Sequence, residues 1–75
     1  MEIGDIIRIN DKILDSPEYD NVNVYKFLDQ EAVIIRFNPK YDSFNYEIVF
    51  TDREVQKYAE KHQCELWDIE HMEVI

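Results

Sequence analysis

The chain is poor in the residues that staple, bend or neutralise a polypeptide. Its 75 residues include one cysteine, one glycine and two prolines, and only eight bases stand against seventeen acids. A lone Cys64 excludes an internal disulfide and fits a reducing, cytoplasmic compartment. A lone Gly4 cannot build a glycine-rich phosphate loop. The shortage of Lys and Arg leaves a net charge of −9. That argues against direct nucleic-acid binding, where phosphate contacts supply most of the affinity. No long apolar run occurs, and acids rather than bases follow Met1, so neither a membrane span nor a signal peptide is expected. The apolar share, 45%, is nonetheless too high for a disordered chain. One small domain, 1–75, is expected, with a core of modest size.

The central stretch is a hairpin. Glu31 to Phe37 is apolar and β-branched, Tyr46 to Phe50 repeats the pattern, and Asn38-Pro39-Lys40-Tyr41-Asp42-Ser43 between them is turn chemistry. Alternation puts Val33, Ile35 and Phe37 on one face with Tyr46, Ile48 and Phe50 as partners, and leaves Ile34 and Val49 on the other. Before the hairpin, Ile3 to Ile9 reads as a strand that Gly4 starts at a tight bend, with Ile3, Ile7 and Ile9 on one face. Residues 10–30 form a long connection. In it Asp15 to Asn21 is loop, Val22 to Phe27 a short irregular strand, and two or three of the apolar residues anchor the rest. After the hairpin, Thr51 and Glu54 make a capping box, and Val55, Tyr58, Ala59 and His62 recur at helical spacing, so a helix is expected over about 52–62. Cys64 to Trp67 is a short strand, Asp68 to His71 a tight helical turn, and Met72 to Ile75 a last strand paired into the sheet.

The matching pieces are Gly4-Asp5-Ile6-Ile7-Arg8-Ile9, Glu31-Ala32-Val33, Tyr46-Glu47-Ile48-Val49-Phe50 and Ile69-Glu70-His71-Met72-Glu73-Val74-Ile75. In that order they resemble SH3-like small β-barrels. The resemblance implies a mainly β fold, a barrel of about five strands, with the helix inserted between the third and fourth strands where such barrels usually have a tight hairpin. The acidic-aromatic signature of signalling SH3 domains, Ala-Leu-Tyr-Asp-Tyr, is missing, so proline-peptide binding is not carried over. Similar barrels of translation and transcription are basic, whereas very small acidic ones occur among bacterial and phage accessory proteins.

Catalytic chemistry finds little to stand on. His62, Cys64 and His71 are the only soft ligands, one short of a structural zinc set. A Cys64 nucleophile would need an electropositive setting, and Glu65, Asp68 and Glu70 supply the opposite. Asp15, Glu18 and Asp20 lack the glycine and spacing of a calcium loop. No cofactor, no metal and no enzymatic activity are expected.

The expected role is therefore a protein-interaction module, pictured as an inhibitor or adaptor, and its partner a basic protein. The acidic end, Glu65, Asp68, Glu70 and Glu73, has no base after Lys61 to neutralise it and could mimic DNA. The aromatics Tyr19, Tyr41, Phe44 and Trp67 are the candidate anchors, beside the reading that they close the ends of the barrel. Two alternatives stand. A nucleic-acid-binding barrel would require Arg8, Arg36 and Lys40 to cluster. A structural subunit would assemble through Ile34 and Val49.

Overall fold

The computed structural model describes residues 1–19 and 22–75, and of Glu18 the backbone alone. Asp20 and Asn21, expected in the loop, lie outside the described residues. The fold combines one sheet with one α-helix. Five antiparallel strands, β1 (Ile6–Ile9), β2 (Glu31–Phe37), β3 (Tyr46–Phe50), β4 (Leu66–Trp67) and β5 (Met72–Val74), are ordered β4-β3-β2-β1-β5. β4 and β5 are its two edges and no ladder joins them, so the sheet is open rather than a closed barrel. Helix α1 (Arg53–Lys61) lies between β3 and β4, as the spacing of its apolar residues predicts. The last strand pairs with β1, again as expected.

Gly4 opens β1 in the way its lone occurrence suggests. Its φ of +95° is a left-handed conformation that favours glycine, and its N–H donates to the Ile34 carbonyl at 2.8 Å. The turn aims Ile7 and Ile9 into the core, while Ile3 stays outside it.

The hairpin corrects the expected parity. Ile34 pairs with Ile48, yet Phe37 pairs with Tyr46, so β2 spends three residues where β3 spends two. The extra residue is a β-bulge at Ile35. Before it, the core face is Ala32 and Ile34, opposite Phe50 and Ile48; after it, Phe37 rejoins that face, and its ring lies 4.8 Å from Tyr46. Val33 and Ile35 therefore do not belong to the core set, Phe37 shares the core's face but stays exposed, and Ile34 belongs to the core.

The long connection is not a strand at its end. Three 3₁₀ turns, Asp11–Asp15, Pro17–Tyr19 and Val24–Lys26, carry it, and Asn10 and Asn23 cap two of them through their side chains. Ile13, Tyr19 and Phe27 anchor it in the core, while Tyr25 remains exposed. Phe27 stacks on Phe50 at 5.4 Å and meets Trp67 edge-on at 5.3 Å.

Helix α1 is capped one residue later than the capping box suggests. Asp52, not Thr51, is the N-cap, and its carboxylate accepts from the N–H groups of Glu54 and Val55 at 2.8 and 3.1 Å. Thr51 still belongs to the sheet, where its N–H and hydroxyl both donate to the Glu31 carbonyl. Gln56 fastens the helix to β3 by accepting from the Phe50 N–H at 2.8 Å. At the other end, the Cys64 N–H reaches the Ala59 carbonyl and the Gln63 N–H that of Glu60, a Schellman stop with Gln63 at φ 58°.

Candidate functional site

Three connections meet beside β4: the 3₁₀ segment at Tyr19, the hairpin turn and the end of α1. Between them lies a cleft of about 380 Å³, lined by Tyr19, Val22, Phe44, His62, Gln63, Cys64 and Leu66. Its volume falls within the range of small binding pockets. Its walls are mainly apolar and aromatic, and neither Lys nor Arg lines it.

The aromatic floor is held rigidly. Tyr19 stacks on Trp67 with centroids 5.0 Å apart and takes the edge of Phe44 at 6.0 Å. Trp67 is fully buried, and its indole N–H donates to the Cys64 carbonyl at 2.8 Å. That bond ties the floor to the turn that ends α1. Phe44 sits at φ 53°, a left-handed conformation costing a bulky residue about 1–2 kcal/mol. Gln63 owes its positive φ to the helix stop. Phe44 takes its own at the end of the hairpin turn that the Asn38 N–H closes on the Asn45 carbonyl, and its ring lies against Tyr19 and His71.

His71 is buried rather than on the surface. Its Nε2 lies 3.5 Å from a Glu70 carboxylate oxygen, and its Nδ1 has no partner among the described residues. Cys64 donates its thiol to the His62 carbonyl at 3.5 Å. Burial first, and then the Glu65 carboxylate, raise its pKa above the ordinary thiol value. Thiolate is correspondingly scarce near neutral pH, which works against a nucleophilic role. Among the described residues no group of three or more His, Cys, Asp or Glu is placed to hold a metal ion. Nor is any helix among them long and apolar enough to cross a membrane.

The candidate anchors are thus partly gathered and partly buried. Tyr19, Phe44 and Trp67 form one cluster, but Trp67 has no exposed surface to offer a partner and Tyr19 almost none. Phe44 is half-buried at the cleft and Tyr41 half-exposed on the hairpin turn. The acidic end does not stand unopposed. Glu73 faces Arg8 across β5 and β1, and Glu70 shares a depression with Lys12. Glu65 and Asp68, half-buried, flank β4 and remain the acids nearest the cleft in sequence.

The bases are also not where the nucleic-acid alternative needs them. Arg8 and Arg36 are paired in register with Glu31 and Glu47 at opposite ends of β2. A concentration of bases appears along α1 instead, where Lys57 and Lys61, with Lys26 from the 3₁₀ turn and Glu54, line a depression of about 280 Å³, and Arg53 lies one turn before Lys57. The spacing of 53, 57 and 61 was legible as one helical stripe. No family model, curated protein or solved structure matches this chain.

Proposed function

We propose that this protein is a non-enzymatic, protein-interaction module that docks a basic partner at the cleft beside β4. The strand order supports an SH3-like arrangement of the sheet as its scaffold, with α1 standing where such barrels usually have a tight hairpin. The observation that carries the reading is Phe44. A bulky residue held at positive φ, half-exposed over a buried aromatic floor, is strain located at a cleft that could receive one large apolar side chain. Charge selects the rest of the partner. Neither Lys nor Arg lines the cleft, Glu65 and Asp68 flank β4 in sequence beside it, and the whole chain carries −9, so an apolar anchor flanked by Lys or Arg is attracted and an acidic segment repelled. An adaptor or inhibitor acting in a reducing cytoplasm fits these features, as does the free thiol of Cys64.

Selection from a random peptide library tests the reading. Enriched sequences should share one large apolar residue within a few positions of Lys or Arg, and Leu66→Lys should abolish their binding. Enrichment of acidic peptides, or binding indifferent to Leu66→Lys, would count against the cleft. One observation favours nucleic acid as a second reading: the basic stripe on α1. Oligonucleotide binding at about 150 mM salt that is lost in Lys57→Glu would support it.

A further inference from the structure

We propose that the outer face of the sheet joins two copies of this chain in an isologous dimer, with its two-fold axis running along the strands between β1 and β2. This surface shares no residue with the cleft, and the inference stands apart from the reading above.

The side of the sheet away from the core carries an apolar row across four strand positions. Ile6 pairs with Val33, Val33 pairs with Val49, and the Ile75 N–H donates to the Ile6 carbonyl, which sets Ile75 opposite Ile6. The order is Ile75, Ile6, Val33, Val49, at a strand spacing of about 4.8 Å. Ile6 is 49%, Val49 37% and Ile75 58% exposed. Neither α1 nor the 3₁₀ turns bury this row, and single exposed apolar residues are ordinary whereas a contiguous row is not.

The neighbouring row identifies the occupant. It runs Glu73, Arg8, Glu31, Thr51 in the same strand order, with Arg8 opposite both Glu73 and Glu31. The midpoint of the apolar row lies between Ile6 and Val33. A two-fold axis there places Ile6 over Val33 of the second copy, and Ile75 over its Val49. The same axis places Arg8 over Glu31 of the second copy, and Glu31 over its Arg8. Both rows are complementary to themselves under one operation, as an isologous interface requires. A basic partner would meet Arg8 at the centre of this face, and an acidic one Glu31 and Glu73. A molecule measuring 26 × 25 × 21 Å offers about 500–650 Å² on one face. Two such faces reach the lower range of specific interfaces, about 1,200 Å² in total.

Sedimentation of the purified protein from about 1 to 500 µM tests the proposal. A dimer is expected. Because each copy carries −9, its dissociation constant should fall as salt rises from about 20 to 300 mM. Val33→Glu should leave a folded monomer, judged by Trp67 fluorescence. Arg8→Glu and Glu31→Arg should each weaken association by about tenfold or more, and the double exchange should restore it to within about threefold. A chain monomeric at the highest concentration leaves the row to another occupant and overturns the proposal. So does a dimer unaffected by Val33→Glu, or a double exchange no better than either single change.

Discussion

Ile34 and Ile35 are neighbours of identical chemistry with opposite fates, and truncating each in turn separates them. Ile34 is completely buried and pairs with Ile48, whereas Ile35 sits on the bulge and is 42% exposed. Replacing Ile34 by Ala removes three carbons, worth about 2.4 kcal/mol at about 0.8 each. The void left in a core made by Ile7, Ile9, Ile48 and their neighbours adds a cavity cost, for a total of about 3–4 kcal/mol. A domain of 75 residues has about 4–11 kcal/mol in all. The variant should therefore lose about a third or more of its stability, with a midpoint lowered by about 12–30 °C. Ile35→Ala should cost less than about 1 kcal/mol, mostly in lost β-propensity. Chemical denaturation followed by the single tryptophan reads both, because Trp67 is buried against Tyr19 and reports directly on the core. Equal losses, or a larger loss at Ile35, would refute the bulge and return the hairpin to uninterrupted alternation.

Three further outcomes follow from the same structure. Asp52→Ala should destabilise the protein by about 0.5–2 kcal/mol, more than Thr51→Ala, because Asp52 accepts two N–H bonds at the start of α1; thermal melts of the pair decide which residue is the cap. Cys64 has a raised pKa in the folded state, so its contribution to stability is full below the unfolded thiol value near 9 and is lost as pH rises through the folded value. Denaturation midpoints should thus decline in alkali more steeply for the native chain than for Cys64→Ala. Phe44→Gly relieves the positive φ, worth about 1–2 kcal/mol, while losing a half-buried ring of similar worth, so stability should change by less than about 1 kcal/mol while binding of a selected peptide collapses.

Where local chemistry decides, the sequence was readable. The helical stripe of Val55, Tyr58 and Ala59, the turn at Asn38 to Ser43, the bend at Gly4 and the terminal strand all follow from residue type and spacing. Alternation failed at Ile35 because a bulge shifts parity without changing composition, and nothing in the apolar run Ala32 to Ile35 marks where the extra residue falls. The cap slipped from Thr51 to Asp52 because both side chains can accept N–H bonds, and the sheet had already claimed Thr51 through Glu31. At the cleft, the aromatic types were visible, but their exposure was not. Trp67 and Tyr19 are consumed by stacking against each other, which depends on how the 10–30 connection folds back. The opposition of Arg8 to Glu73 is likewise a matter of strand pairing, invisible in linear charge counts.

The central claim is that the cleft beside β4 receives an apolar anchor flanked by bases. Its most direct test is a backbone amide NMR titration of the labelled protein with two short peptides, each carrying one tryptophan, flanked by arginines in one and by glutamates in the other. The account predicts shift changes from the basic peptide at Val22, Phe44, Gln63, Cys64 and Leu66, with the Trp67 indole N–H responding through its bond to the Cys64 carbonyl, and no response to the acidic peptide. Changes confined to α1 around Lys57 and Lys61, or a stronger response to the acidic peptide, would contradict it.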